Sequence, residues 1–581
     1  MKTIYHTFKT LCVGLLGLVA TGCMNFEPKA QMNDATVWKS AANFKLFANQ
    51  FYSWTRDFQS GSTYQYGVSD GPHSDMRSDL IAGANLNPYS AGTNSIPASD
   101  GNYKQLYKQI YYTNLLLKKA ETFSSPADIR VPVAEARFFR AYCYFELVQL
   151  YGNAILVTTP VDMNSPEMQV ARNDRGEVID RCVEDLQLAA EGLPETPAEA
   201  GRLGKDAAYA FLSRVALYEG TWQKFHANGA EASANTDRST ALLTIAREAA
   251  AKVMEGGRYK LFYDGRLGTE SYRYMFILED AQCNPAGLTT AANTEYILAR
   301  RHRLADGIGL NITKAYLANA VYPTRNLANL YLCRDGLPVA KSPLFKGYQG
   351  AATEFENRDN RMLTTLAPNG AMVWNNTANN SRASWSDDDR KRALTVSVTA
   401  NSGYQTHKWA VERQVADRYE SMDYPVIRYA EVLLNYAEAT YELRGSISDD
   451  DLDKSLNLVR VRVNPEMVKL SNSLVSGNGL SMREEIRRER TVELIFEGFR
   501  IDDLKRWATA PVEMPQDQLG VLYKSTWFES HWTKQSRPLN SEGCIVLYTH
   551  RVWNDKLYLY PLPSDQLQLN PHLGQNPGWT N

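Results

Sequence analysis

Eight stretches of the chain share the spacing of amphipathic α-helices, and this repetition limits the possible folds more than any other feature. Apolar residues recur every three or four positions within each stretch, which is the period of one helix face. Glycines at positions 152, 192, 220 and 256 mark the ends of four stretches. The predicted helices cover residues 35–58, 103–120, 133–151, 174–192, 205–222, 239–255, 425–444 and 448–463.

Consecutive helices of this length form hairpins of about tetratricopeptide size. Stacked hairpins bury a continuous core and leave one concave face. The pattern therefore predicts a mainly α fold with four tetratricopeptide-like helical hairpins and a large irregular insertion. The expected layout is one domain over 23–581, with hairpins at about 35–256 and 424–463, the insertion at about 257–423, and a C-terminal helix and tail at 481–581.

The stretch 487–507 predicts one more helix, which is strongly charged. Ser481, with Glu484 three residues later, matches a capping box at its start. One face of a continuous helix would carry charges at steps of 3, 4 and 3, namely Arg490, Glu493, Glu497 and Arg500. Glu493 and Glu497 suit either a paired general acid and base or a structural pair clamped by the two arginines, and the structural interpretation is favoured.

The predicted helix at 425–444 carries a similar polar stripe. Its members are again spaced by 3, 4 and 3 residues: Arg428, Glu431, Asn435 and Glu438. A stripe of this kind is either a solvated face or a surface that packs against the C-terminal helix. The pattern alone does not choose between the two.

The N-terminus has the pattern of an export signal. Lys2 and Lys9 precede the short apolar run 11–20, and small residues lead directly to Cys23. The run is too short to span a bilayer, and no other run reaches the ~18 residues that a span needs. The pattern predicts a lipoprotein signal peptide at 1–22 with lipid attached to Cys23; the alternative is an ordinary secretory signal with an incidental cysteine.

The remaining composition excludes several classes of site. A formal net charge of -2 does not indicate a nucleic-acid binder. The five cysteines after Cys23 are widely spaced and contain no Cys-x-x-Cys, so neither a disulfide framework nor a zinc site is expected. No metalloprotease, phosphate-loop or nucleophile-elbow motif occurs. No motif therefore marks a catalytic residue, and we expect no metal and no cofactor. Carboxylates are plentiful, so counting them does not exclude a glycosidase pair, although nothing marks one.

Two polar loops are rich in aromatic residues and are the predicted ligand site. The region 60–100 has Tyr, Asp and Arg side chains, and 369–390 carries two tryptophans among Asn, Ser and Asp. Aromatic rings pack against the apolar faces of sugars, while neighbouring polar groups bind the hydroxyls. The predicted contacts are Trp374, Trp385, Tyr64, Tyr66, Asp75, Arg77 and Tyr89. The alternative is that these side chains anchor their loops to the body of the protein.

Four segments together resemble the SusD/RagB family of surface lipoproteins that bind nutrients. The stretch 487–507 resembles the family's C-terminal signature, and Tyr-Pro-Val-Ile-Arg-Tyr-Ala-Glu at 424–431 begins a second. A third is Glu-Ala-Arg-Phe-Phe-Arg-Ala-Tyr at 135–142, and the tail from 560 to 579 is a fourth. They follow the family's order and span nearly the whole chain.

The resemblance implies a binding protein without catalysis, anchored by lipid at the cell surface in the outer membrane. It implies capture of oligosaccharides and their delivery to a SusC-like TonB-dependent transporter. Peptide or glycoprotein ligands on the same architecture are the alternative. A surface glycoside hydrolase or a helical scaffold for protein assembly are less favoured possibilities.

Overall fold

The computed structural model of the chain is mainly α-helical, as the periodicity predicts. It describes residues 38–58, 71–83, 85–162, 164–226, 236–281, 283–303, 309–310, 312–313, 316, 321–350, 352–367, 402–411, 419–533 and 535–580.

The first seven helices lie before the predicted insertion. They are α1 (Ala41–Asn49), α2 (Pro88–Ala91), α3 (Gly101–Ala120), α4 (Arg130–Tyr151), α5 (Arg175–Gly192), α6 (Lys205–Phe225) and α7 (Thr236–Gly256). Within the insertion lie α8 (Ser271–Phe276), α9 (Arg325–Leu330) and α10 (Arg361–Thr365).

The described residues of the C-terminal third form nine further helices, most of them short. They are α11 (Tyr429–Arg444), α12 (Asp449–Asp453), α13 (Leu456–Val461), α14 (Asn472–Gly477), α15 (Met482–Leu494), α16 (Arg500–Arg506), α17 (Ala510–Glu513), α18 (Trp527–His531) and α19 (Ser564–Leu569).

The long helices pack in chain order. Helices α3, α4, α5, α6 and α7 pack in this order, each on its neighbour. Helix α7 then packs on α11 across the insertion, and α11 packs on α15. Helix α4 lies between α3 and α5, and most of its residues are buried, including the polar Glu135, Arg140 and Glu146. A helix enclosed on several sides must pair its polar groups inside the protein.

Three predicted helices have different bounds in the structure. The stretch 35–58 becomes α1 followed by a 3₁₀ segment, Gln50–Trp54. The stretch 425–444 begins as a strand, because residues 424–428 pair with a second strand and the helix starts only at Tyr429. The stretch 448–463 is divided into α12 and α13 at Ser455, whose backbone is not helical.

The predicted continuous helix at 487–507 is wrong. Ser481 caps α15, and its side chain accepts from the Glu484 backbone N–H, so the predicted start is confirmed. The helix nevertheless ends at Leu494, and α16 begins at Arg500. Between them Phe496 and Gly498 have positive φ angles of 66° and 77°, a conformation that costs energy for a non-glycine residue.

In the part of the chain that the structure describes, six short strands form three antiparallel two-stranded ribbons. They are β1 (Ile81–Ala82) with β3 (Tyr322–Pro323), β2 (Tyr296–Arg300) with β4 (Tyr424–Arg428), and β5 (Gln518–Leu522) with β6 (Cys544–Tyr548). Helices therefore dominate the described chain. Two of the ribbons connect the insertion to segments outside it, and the third lies within the tail.

The described residues contain neither a membrane-spanning helix nor a disulfide bond. None of the helices there combines the length and apolarity needed to cross a membrane. The cysteines that the structure describes, Cys143, Cys182, Cys283, Cys333 and Cys544, are buried free thiols.

Candidate functional site

Glu493 and Glu497 lie in a buried ion-pair network and do not form an accessible acid–base pair. The Arg428 guanidinium lies between them, with Nη1 2.6 Å from Glu493 Oε1 and Nε 2.7 Å from Glu497 Oε2. The same Nη1 is 2.8 Å from Glu295 Oε1. All four side chains are buried. We call this group, with the residues that complete it below, the Arg428 network.

Further cations complete the Arg428 network. Arg361 and Arg462 pair with Glu493, and Lys408 pairs with Glu497 at 2.6 Å. Burial alone would raise the pKa of Glu493, but Arg462, Arg428 and Arg361 together hold that pKa below its ordinary value. A carboxylate held ionised and enclosed by guanidinium groups cannot transfer protons to a ligand at the surface.

The predicted clamp by Arg490 and Arg500 is wrong. Because the helix breaks at 495–499, the stripe does not stay on one face. Arg490 pairs with Asp503 at 2.9 Å, and Arg500 pairs with Asp79 at 2.8 Å. The structural role of the two glutamates stands, but their partners come from distant parts of the chain.

The polar stripe of α11 packs against other helices and is not a solvated face. Glu431 pairs with Arg214 of α6 at 2.6 Å. Asn435 accepts from Arg490, and Glu438 pairs with Arg506. The structure therefore resolves the choice left open by the pattern in favour of packing.

Three of the predicted ligand residues are described. Asp75 is 5% exposed and accepts from the backbone N–H groups of Gly498 and Arg500. Tyr89 is 2% exposed, and its ring stacks on that of Tyr560 with centroids 5.6 Å apart. Arg77 donates to the Tyr560 hydroxyl. Asp75 and Tyr89 thus lie in the protein interior and not at a ligand surface, and Arg77 contacts the C-terminal tail.

The other predicted residues lie outside the described part of the chain. They are Tyr64, Tyr66, Trp374, Trp385 and Cys23. The structure neither supports nor opposes the roles predicted for them.

Asp75 gives a pH-dependent prediction. Burial raises its pKa from 3.8 to about 7, although backbone N–H groups at 496–500 oppose the shift. The folded state therefore holds a proton that the unfolded state releases, so this group makes stability fall as pH rises from about 4 to about 7. In Asp75→Asn that contribution is absent. Urea unfolding at several pH values measures this. As pH rises through this window, the free energy of unfolding of the variant should increase relative to that of wild type by up to ~1.4 kcal/mol per pH unit. An equal pH dependence in both proteins would contradict the prediction.

The described residues that flank the two predicted ligand loops both contact one segment, 402–411. Phe58, the last described residue before 59–70, packs its ring 5.0 Å from that of Trp409. Ala367, the last before 368–401, donates its backbone N–H to Gln405. His302, close to the segment 304–308, packs on Phe58 at 5.8 Å and lies 2.9 Å from Asp57. The described residues that flank these three segments thus lie in one neighbourhood.

A surface cavity of about 300 Å³ lies at the end of the β2–β4 ribbon, close to these flanking residues. Arg300 and Tyr424 are the last register pair of the ribbon. Arg301 directly follows β2 and Asp423 directly precedes β4, and Arg301 Nε lies 2.7 Å from Asp423 Oδ2. We call this cavity the ribbon-end pocket; its polar and aromatic lining includes Arg202, Tyr259, Asn293, Tyr296, Arg301 and Asp423.

Sequence reasoning missed the ribbon-end pocket. Its residues come from five separate segments, and Arg301 and Asp423 meet only through the register of two strands. The run Tyr296–Arg300 alternates weakly and is short, so its pairing with 424–428 had no clear local signal. The only available hint was the arginine pair that directly follows an apolar run.

Two other hollows differ in character. A groove of about 450 Å³ is mainly apolar and is lined by Tyr103, Tyr107 and Tyr111 of α3 together with the tail. A second hollow of about 630 Å³ lies beside Trp579, whose indole N–H donates to backbone carbonyls of the tail. Among the residues described here, no cluster of three or more His, Cys, Asp or Glu side chains could hold a metal ion.

Two sequence-family profiles match the chain, and both describe SusD-related proteins. The profile described as "SusD family" matches residues 292–579. The profile described as "Starch-binding associating with outer membrane" matches residues 27–217. The two matches thus cover most of the helical hairpins, much of the insertion and the tail, and leave out residues 218–291, which include α7.

Individual relatives agree with these profiles. SusD-like protein P25 of Formosa agariphila is 32% identical over 126 residues, which is 21% of this chain and 24% of that protein. SusD-like protein P2 of the same organism is 25% identical over 220 residues, 37% of this chain and 43% of that protein. The matched segments therefore span less than half of these relatives' length.

Solved structures show the same fold. A SusD-like carbohydrate-binding protein from Bacteroides fragilis superposes with a TM-score of 0.70 at 24% identity, covering 93% of this chain and all of that one. A SusD superfamily protein from Bacteroides thetaiotaomicron gives 0.57 at 18% identity, covering 93% and 100%. At these identities the likeness concerns the fold alone.

Proposed function

The chain belongs to the SusD/RagB family, and from this premise we propose that it captures oligosaccharides at the cell surface without modifying them. The observation that carries the proposal is the pair of family matches, one of which is described as starch-binding and associated with the outer membrane. The ribbon-end pocket supports it, because a cavity with two tyrosines, an amide and an ion pair has the groups that bind sugars.

We further propose that a lipid on Cys23 holds the protein at the outer membrane and that a SusC-like TonB-dependent transporter receives the ligand. A receptor that delivers its ligand must also release it, so moderate affinity is expected. Aromatic contacts suit this requirement, since each ring contributes only ~0.5–1.5 kcal/mol beyond its buried area.

Two alternatives from other ligand or activity classes make different predictions. A peptide or glycoprotein ligand would use the same architecture, and ligand titration distinguishes it. A glycoside hydrolase requires two accessible carboxylates at a sugar. Glu493 and Glu497, which the sequence offered as a general acid–base pair, are buried beneath Arg428, so this pair does not supply such a site.

The proposal is tested on the two predicted tryptophans. We expect Trp374→Ala or Trp385→Ala to weaken oligosaccharide binding about tenfold with an unchanged Tm, because loss of a stacked ring removes contact area at the ligand and nothing from the core. Calorimetric titration with neutral and acidic glycans measures the effect. Tyr111→Ala, which removes a partly exposed ring from the groove along α3, is the matched control. Wild-type affinity in both tryptophan variants would place the site elsewhere.

A further inference from the structure

The ribbon-end pocket holds one arginine whose terminal nitrogens are uncommitted. Arg301 is ion-paired to Asp423 through Nε, and its side chain is 36% exposed. No hydrogen bond from its Nη1 or Nη2 to any of the described residues occurs. The terminal nitrogens of a guanidinium form a planar fork that matches a carboxylate in two parallel hydrogen bonds.

The position of Arg301 is constrained on both sides. Asp423 accepts from the His302 backbone N–H through Oδ1 at 3.1 Å and contacts Arg301 through Oδ2, so both carboxylate oxygens are used. The stem of Arg301 crosses Gly201, where an added Cβ would lie 3.0 Å from Arg301 Cγ. Gly201 also has a positive φ of 87°. The guanidinium is therefore held in place before any ligand binds, which reduces the entropy lost on binding.

The other charged groups of the pocket are already satisfied. Arg202 donates to both oxygens of Glu135 at 2.7 and 2.8 Å and to Asn49 at 2.7 Å. Glu135 also accepts from the Tyr52 hydroxyl. This pair contributes shape to the pocket and offers little to a ligand.

Asn293 adds a second unused donor. Its Oδ1 accepts from the backbone N–H groups of Glu295 and Tyr296 at 3.0 and 3.2 Å. Its Nδ2 group makes no hydrogen bond to the residues that the structure describes. The uncommitted side-chain groups of Arg301 and Asn293 are thus donors, whereas the carboxylates nearby are occupied.

A pocket whose free groups are hydrogen-bond donors selects a ligand group that only accepts hydrogen bonds. A sugar hydroxyl both donates and accepts, but an ionised carboxylate accepts only. Tyr259 and Tyr296 supply aromatic surface beside these donors, which suits the apolar face of a sugar ring. The volume of about 300 Å³ is at the lower limit for ligand pockets and fits the terminal sugar of a chain better than its middle.

We propose that the ribbon-end pocket binds the carboxylate of an acidic sugar, of the uronic or sialic acid type, through the terminal nitrogens of Arg301 and the amide of Asn293. This inference rests on the proposed glycan-capture function and specifies its ligand class.

The test compares each acidic glycan with a neutral partner of the same size. Calorimetric titrations use trigalacturonate against its methyl ester and sialyllactose against lactose. At least one acidic member should bind, and its neutral partner should bind at least about tenfold more weakly. Arg301→Gln should lose at least about tenfold in affinity for the acidic glycan with an unchanged Tm. Asn293→Ala should lose less, since it removes one donor and leaves the fork.

A control separates charge from pocket shape. Arg202→Gln removes a lining guanidinium whose nitrogens are already used, so its affinity for the acidic glycan should change less than that of Arg301→Gln. Neutral glycans that bind as well as acidic ones, with no effect of Arg301→Gln, would overturn the inference and leave glycan capture intact. Binding of acidic peptides but no glycan would overturn both, and so would the absence of binding by every glycan.

Discussion

Arg428→Met is expected to lower the free energy of unfolding by about 3–5 kcal/mol, because it removes one cation from a buried group of charges and leaves its carboxylate partners undercompensated. Methionine has a similar length and no charge, so the change isolates the electrostatic contribution. Glu497 keeps Lys408 and Glu493 keeps Arg361 and Arg462, which limits the loss. A substitution that left three buried carboxylates with no cation at all would cost more.

Thermal and urea unfolding of the purified variant measure this effect. The matched control is Arg334→Met, because Arg334 pairs with Glu466 at 2.6 Å with both side chains largely exposed. An exposed pair contributes at most ~1 kcal/mol, so the control should unfold close to wild type. A variant at 428 that unfolds like the control would show that the network does not stabilise the fold. Lost ligand binding with unchanged unfolding would indicate a direct role at a ligand site.

Cys23→Ala is expected to remove the protein from the membrane fraction. The short apolar run at 11–20 and the small residues before Cys23 resemble a lipoprotein cleavage site. Acyl chains attached there would supply the anchor, at about 0.8 kcal/mol for each buried CH₂ group. Without the thiol, no lipid attaches. The precursor then either stays uncut or is released after cleavage by another signal peptidase.

Fractionation of cells followed by mass spectrometry of the N-terminus distinguishes these outcomes. Cys12→Ala is the matched control, since Cys12 lies inside the predicted signal and its loss should change neither processing nor location. A Cys23→Ala protein that is processed and fractionates like wild type would show that Cys23 carries no anchor. The result would then favour the ordinary secretory signal with an incidental cysteine.

The long helices were predictable because their signal is local. Residues three and four apart decide which face is buried, and the helices α3 to α7 accordingly lie close to their predicted bounds. The break between α15 and α16 was not predictable in this way. It depends on Asp75, more than 400 residues earlier in the chain, whose carboxylate accepts from the N–H groups of Gly498 and Arg500.

The strand at Tyr424–Arg428 illustrates a second limit. Its residues fit a helix pattern when it is considered alone, and only the partner strand Tyr296–Arg300 selects the extended form. The same pairing creates the ribbon-end pocket, so the error about the strand and the omission of the pocket have one cause. The charged stripe at 490–500 was interpreted correctly as structural, whereas the stripe at 428–438 left the choice between a solvated and a packed face open. Neither pattern identified the ion-pair partners, because ion pairing across the fold leaves no periodic mark.

The Arg428 network also sets an order of assembly during synthesis. Glu295 pairs with Arg428 and Arg462, which follow it by 133 and 167 residues, and Glu493 comes 65 residues after Arg428. A growing chain that has not reached residue 493 thus holds Arg428 without two of its three carboxylate partners. The helices of the first 256 residues pack on their neighbours in sequence and pair as they appear, since local contacts form early. The charged interior closes only after Glu493 and Glu497 have been synthesised, so a ribosome that stops before them leaves helices around a centre that lacks its counter-charges.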